Sequence, residues 1–474
     1  MKKKRKLAAG LALSISLASI PLNFVVAESI PQVQSEKKQV EKTFTVSSSG
    51  EALLDLTAIA PGVDWSKKGQ ESAVITLTLD GKYNQDIVLF MGQKKFTYKV
   101  ALGHVNPGVH TLRASLNLDK SPEGAKQVNI IKMDTNVASS DSEDALGYRF
   151  SPILYGRNLP NIPGAYENNY TDVPLMMYHT QSKDANGNIT IEYTVICSNE
   201  DGGTNTPALM ARWGRTTDIE WIYRVKLDPN HKVISEKYQS PGHGTVDFDG
   251  LKEQDHPLMY TSTSNNNFSA VKAGDTTSGY RFFLNASQEL PSNRTREYIM
   301  DQNPWSYQVM AKEMIREGKI ESIANPDSQE VSDQRNYLYV EFNKATSPAN
   351  SSAGVGTAIG VTLKGDSKQY ISNHNVPDWS ITRDNPAATT VELPAGTTTS
   401  DIESIHAIAV PFDSNPNDAI NPPANYQINV KDVNRAFMLD NDYKPQASLM
   451  EWHGTQVLTA QNPTVVLWTA SDKQ

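Results

Sequence analysis

The sequence predicts an all-β fold: an N-terminal immunoglobulin-like β-sandwich followed by a larger, jelly-roll-like β-sandwich carrying one or two inserted helices. Three observations predict it. Apolar and polar residues alternate in short runs, as where Phe96, Tyr98, Val100 and Leu102 stand against Lys95, Thr97, Lys99 and Ala101. Gly and Pro punctuate the runs, at Asp80-Gly81, Gly103, Pro107-Gly108 and Pro122. A full set of helix signals occurs at one stretch, residues 303–318.

Residues 1–27 read as a cleavable secretory signal. Lys2, Lys3, Lys4, Arg5 and Lys6 form a basic start, an apolar stretch follows, and Val25-Val26-Ala27 supplies small residues for cleavage. The expected location is therefore secreted, outside the cytoplasm of a bacterium. Residues 28–41 read as a tether. Residues 42–134 hold short alternating runs at Ala73–Leu79, His110–Leu116 and Val128–Met133, the pattern of a sandwich. The polar, acidic stretch 135–145 reads as a linker.

From residue 146 to 474 the strand signals resume as one large β-sandwich domain. Asp184 to Asn188 is a hairpin turn, and Ile189–Ser198 is the returning strand. On that strand Cys197 shares a face with Ile191, Tyr193 and Val195, so it reads as a buried small hydrophobe. In the helix, Asn303 is placed as the N-cap, Pro304 at the first position and Gly318 after the last turn. Tyr307, Met310, Ala311 and Met314 form its buried stripe. Residues 350–474 either form a separate β subdomain or complete the second sandwich. No clear linker precedes them, which favours completion.

Charge and motifs exclude several function classes. The formal net charge is −9, and removing residues 1–27 with their five cations takes it to −14. Such a chain does not bind nucleic acid through bulk charge. With one cysteine no intrachain disulfide forms. There is no G-x-S-x-G elbow, no H-E-x-x-H zinc motif and no Walker loop. Whether the chain is an enzyme stays open, and the lack of a catalytic motif leans against it.

The most informative stretch is NEDGGTNTPALMARWGRTTDIEWIYRVKL, residues 199–227. Asp218 and Glu220 stand two apart on a predicted strand, so both point to one face. Ile219, Trp221, Tyr223, Val225 and Leu227 are expected to form the opposite, apolar face. Asp201 lies in the loop before the strand, and His243 lies in the later HGTVDFDG segment. These carboxylates suit a hard divalent cation, calcium or magnesium. The alternative at the same place is an ion pair with Arg215.

Residues 172–269 resemble two β-sandwich groups, the necrosis- and ethylene-inducing-like proteins and the vacuolar-protein-sorting-62-like proteins. Those groups carry G-H-x-H/G-D-W-E, then His-Gly, then H-P-x-V-Y. Here Gly214-Arg215-Thr216-Thr217-Asp218-Ile219-Glu220, His243-Gly244 and His256-Pro257-Leu258-Met259-Tyr260 follow in that order. The resemblance implies that Asp218 and Glu220 are metal ligands in a shallow surface site with His243 close by. The chain departs from the pattern where Arg215 and Thr217 replace the two histidines.

Two functional expectations follow. The first is an extracellular binding protein for a glycan or a membrane surface. Trp213, Tyr260 and Trp305 are its candidate contacts, since aromatic rings offer flat apolar faces. The second is a metal-dependent secreted effector, cytolysin-like or hydrolytic; an acid–base glycoside hydrolase is a further alternative.

Overall fold

The computed structural model describes residues 39–140, 145–157, 173–200, 205–348, 354–411 and 425–472, which fall within one compact unit, Lys37–Gln474. The signal segment 1–27 and Asp201 lie outside these residues. The architecture is all-β, built from three successive pairs of facing sheets.

The first pair is the N-terminal sandwich. One sheet runs Gln39–Val46, Gly108–Leu116, Val74–Leu79, Lys82–Val88; the other runs Phe96–Val105, Gly50–Ile59, Asn129–Ser139. An immunoglobulin order sets the first strand beside the second and the last beside the sixth. Here those outer strands are exchanged between sheets, so the last pairs with the second along its length. The strand Asn129–Ser139 also takes in residues 135–139, expected as linker. An edge strand with one face in water tolerates that polar sequence. Likewise Gln39–Val46 begins inside the expected tether.

The second pair positions the acidic strand. Its six-stranded sheet runs Thr245–Asp247, Val233–Gln239, Asp218–Leu227, Ile189–Cys197, Pro174–Lys183, Gln288–Glu289. The facing sheet is built on His256–Thr261, Ile153–Tyr155 and Arg281–Phe282. The hairpin turn is as expected, with Asp184 Oδ1 accepting from the N–H groups of Asn186 and Asn188 at 2.9 and 3.0 Å. Cys197 is buried. The apolar cores of the first two sandwiches merge into one cluster. Strand Phe96–Val105 bridges to the second sandwich, where Ala101 N–H donates to Phe283 C=O at 2.8 Å. Gly103, at φ +91°, sits where an added Cβ would come 3.3 Å from the Phe283 ring.

The last strands do not complete the second sandwich. Residues 337–472 pair among themselves in two four-stranded sheets around a separate core, and the first strand is Tyr337–Ser347, ahead of residue 350.

Four helices are described: Ala145–Arg149, Thr206–Trp213, Glu297–Gln302 and Trp305–Glu317. The last is wedged among all three sandwiches. Its stripe of Tyr307, Met310, Ala311 and Met314 is buried as expected, and Gly318 ends it at φ +69°. Met310 and Met314 pack with Ile196 and Ile219 of the second sandwich, while the Tyr307 ring meets Tyr339 and Phe437 of the third at 5.7 Å each. Lys312 pairs with Asp64 of the first at 2.8 Å, and Trp65 donates its indole N–H to the buried Glu313. Asn303 is not the N-cap. It closes the preceding short helix, and its amide donates to Gln288 Oε1 at 2.9 Å and Ile299 C=O at 2.8 Å.

A buried charge network locks both helices to the third sandwich. Glu341 is fully buried and accepts from Arg294 at 3.0 Å, Arg435 at 3.2 Å, Asn434 at 3.0 Å and the Thr295 N–H at 3.2 Å. Asp301 lies 2.7 Å from Arg435 and accepts from the Tyr307 hydroxyl at 2.6 Å. Burial, the largest influence, outweighs Arg435 and pushes the Asp301 carboxyl up to about 6. A carboxyl raised above its unfolded value holds a proton that the unfolded chain has released. Stability from this group therefore falls as pH rises from about 4 to about 6, by roughly 3 kcal/mol. Asp301→Asn should remove this dependence. Relative to wild type, the variant gains about that much between pH 4 and pH 7 in denaturant titrations. A difference constant across that range would contradict the assignment.

Candidate functional site

The acidic strand carries a bulge that the alternating sequence conceals. Tyr193 pairs with Tyr223, but its neighbour Thr194 pairs with Trp221, leaving Ile222 as the extra residue. The facing of the strand therefore changes there. Tyr223, Val225 and Leu227 point into the sandwich, as does Ile222, whereas Ile219 points out toward the helices. The single apolar face expected from Ile219 to Leu227 is thus split between two cores.

Asp218 and Glu220 do share a face, opposite Cys197 and Val195. Those partners belong to the sandwich core, so the carboxylates face inward at the sheet's end, not outward as a shallow surface pair. Asp218 is buried. Glu220 Oε1 lies 3.7 Å from His243 Nδ1, with side-chain exposures of 16% and 54%. Its other oxygen accepts from Gln239. His243 reaches this point from the Ser240–Gly244 turn, at φ +63°.

Arg215 is not paired with Glu220. Its guanidinium donates to Glu297 at 2.8 Å and to the Thr217 carbonyl. Burial opposes its charge, but Glu297, Glu200 and Asp218 outweigh that and raise its pKa above the ordinary value. Among the described residues no group of three or more His, Cys, Asp or Glu is placed to share a metal ion.

The three aromatic candidates do not gather. Tyr260 lies half-buried in the strand His256–Thr261. Trp213 ends the helix Thr206–Trp213, with Arg383 and Arg215 over its ring at 4.0 and 5.8 Å. Trp305 alone joins an aromatic group. It stacks on Phe90, centroids 5.0 Å apart and planes at 17°, and meets Phe96 edge-on at 5.2 Å. Tyr98 packs against Phe90 at 5.1 Å and Phe96 at 4.8 Å.

These four rings line a cleft of about 300 Å³ between the first and second sandwiches. Phe96 and Tyr98 come from one strand of the first sandwich. Trp305 opens the wedged helix. Polar groups line it from both sides: Gln85, Asp86, Thr97 and Lys99 from the first sandwich, and Asn285, Ser287, Gln288 and Asn303 from the second sandwich and the helix region. Asn303 donates to Gln288, and Asn285 Oδ1 accepts from the Ser287 N–H at 2.8 Å. Among the described residues the Asn285 and Gln288 amide nitrogens and Asn303 Oδ1 have no hydrogen-bond partner. An apolar floor with a few fixed polar groups is the common form of a small-ligand site. Phe90, Tyr98 and the amides were not singled out from sequence. Only the alternation that placed Phe96 and Tyr98 on one face pointed toward them.

A wider concavity of about 670 Å³ lies against the third sandwich, lined by Tyr370, His374 and Glu392. His374 Nδ1 stands 3.6 Å from Glu392 Oε2. This concavity lacks a cluster of stacked rings.

The fold and the cleft define a multi-sandwich β protein with an aromatic-floored junction. No family model matches the chain, and no curated protein matches it in sequence. Among solved structures it is similar to a sugar-binding protein, the EclA C-terminal domain, at 16% identity over 20% of this chain, with a TM-score of 0.16. It is also similar to a ruminal GH26 endo-beta-1,4-mannanase at 9% identity over 29% of this chain, with a TM-score of 0.17. The matches span 65% and 24% of those two chains.

Proposed function

We propose that the chain is an extracellular binding protein that takes a neutral glycan in the Trp305 cleft. The observation that carries this reading is the juxtaposition of aromatic rings with amide side chains that keep unused donors and an acceptor. A pyranose ring has an apolar C–H face and an equator of hydroxyls. The first suits an aromatic floor, and the second suits Asn and Gln amides, which both donate and accept.

Affinity electrophoresis through gels containing single neutral polysaccharides tests the reading. Retardation by at least one of a mannan, a glucan, a xylan or a galactan is expected. Unchanged mobility in every gel would remove it.

A further inference from the structure

The concavity of about 670 Å³ against the third sandwich is of a size to hold a small ligand. It opens between the segment 322–326, which follows the long helix, and the strands Gln369–Ile371 and Asn385–Glu392. Tyr370, Leu393, Pro394 and Ile323 give it apolar walls, and Ile323 is left 72% exposed. Among these walls stand Glu392 and His374, with side-chain exposures of 11% and 12%. Glu392 Oε1 is anchored, accepting from the Ala324 N–H at 2.9 Å. Among the described residues Glu392 Oε2 accepts no hydrogen bond, and no Lys or Arg pairs with it. His374 Nδ1 stands 3.6 Å from it, beyond hydrogen-bond reach.

The charges at the concavity favour a cation. Burial, the larger influence, outweighs the pull of Glu392 and holds the His374 imidazole below its ordinary pKa, so at neutral pH it adds no positive charge. Lys368 is the one ammonium on the lining. It is exposed, lies over the Tyr370 ring at 4.5 Å and is drawn to Asp366, which accepts from the Tyr370 hydroxyl at 2.9 Å. Glu321 and Asp327 adjoin the lining in the chain and are also anionic. Glu321 Oε1 is taken by the Asn325 N–H at 2.6 Å and the Ser328 hydroxyl at 2.8 Å. The exposed lysine is well screened by solvent, whereas the nearly buried Glu392 is not. A carboxylate oxygen so placed gains most from a donor that itself carries charge.

We infer that this concavity takes a primary ammonium group carried on an apolar body. The ammonium donates to Glu392 Oε2, and the body lies against Tyr370, Leu393 and Ile323. An ammonium has three donors, and the Gln369 and Asn375 amides on the same lining offer further acceptors. The site is separate from the Trp305 cleft, and either reading stands or falls without the other.

Titrations of nitrogen-15-labelled full-length protein at pH 7 and constant ionic strength test it. The reporter is the indole N–H of Trp379, whose ring meets the His374 ring edge-on at 5.9 Å and whose resonance is assigned by its loss in Trp379→Phe. The probes are cyclohexylammonium, its neutral counterpart cyclohexanol, and leucinamide, which presents the ammonium as a peptide's amino terminus does. Cyclohexylammonium, leucinamide or both should move the Trp379 resonance saturably and leave that of Trp305 in place. Which of them does so separates a simple amine from a peptide terminus. Cyclohexanol should bind at least about tenfold more weakly, as should the responding amine in Glu392→Gln, since each change removes one charge from a charge-assisted hydrogen bond. Glutamine keeps an acceptor for the Ala324 N–H. Ile323→Ser, at an exposed position, should leave the fold intact and weaken the amine by several-fold through lost apolar contact. No saturable shift with either amine, equal binding of the alcohol, or undiminished affinity in Glu392→Gln would overturn the assignment.

Discussion

Replacing Glu341 by leucine is expected to destabilise the chain by about 3–5 kcal/mol, the usual cost of removing one partner from a buried charge network. The carboxylate is fully buried and holds Arg294, Arg435, Asn434 and the Thr295 N–H together. Burial alone would raise its pKa, but the Arg294 hydrogen bond and the Arg435 charge outweigh it and hold the carboxyl below the ordinary value. Leucine fills a similar volume and leaves two guanidiniums beside an apolar side chain. Asp301, next to Arg435, compensates only one of them. Glu341→Gln keeps an acceptor in place and should cost less than the leucine variant. Denaturant titrations of the two variants give the comparison. A leucine variant within about 1 kcal/mol of wild type would mean that the network contributes specificity and not stability. The consequence for function is positional. The helices held by Glu341 carry Asn303 and Trp305, so loosening them should weaken ligand binding as well.

The second large effect is on binding itself. Trp305→Ala removes the ring stacked on Phe90 and opens one wall of the cleft. Truncating a central aromatic contact commonly costs 2 kcal/mol or more, about 30-fold in Kd. The ring is half-buried, so the variant should remain folded, with a lower melting temperature. Calorimetric titration of whichever polysaccharide retards the wild type in gels measures the loss. Trp213→Ala is the matched control. Its ring is committed to Arg383 and Arg215, and its removal should leave that affinity unchanged. Equal losses for the two tryptophans would place the contact elsewhere or make it an effect of stability.

What could be read from the sequence was local. Alternation at Phe96, Tyr98, Val100 and Leu102 identified a strand, and the Met310 and Met314 stripe with Gly318 identified the helix. Both depend on neighbours within one element. The errors arose where a distant element decides the outcome. Asn303 has the right residue type for a cap, but the helix Glu297–Gln302 runs into it and claims it as its own end. Residues 135–139 look like a linker because their polar side chains face water, yet the strand Gly50–Ile59 pairs with their backbone.

The acidic strand shows both cases. Parity placed Asp218 and Glu220 together, and the structure agrees. The same parity put Ile219 and Tyr223 on one face, which the bulge at Ile222 overturns. An apolar residue at 222, out of phase with its neighbours, was the only trace of that bulge. Arg215 illustrates the limit for ion pairs, since its partner Glu297 lies 82 positions away and no spacing rule joins them. The cleft is the extreme case. Trp305 was visible as a candidate, but Phe90, Phe96 and Tyr98 belong to a different sandwich.

The central claim is that the ligand occupies the Trp305 cleft. Nitrogen-15-labelled protein displays one indole N–H resonance for each of its seven tryptophans. Titrating an oligosaccharide of the retarding polysaccharide should shift the Trp305 resonance, assigned by its loss in Trp305→Phe, and leave that of Trp213 in place. Saturable binding with the Trp305 resonance unmoved would contradict the account.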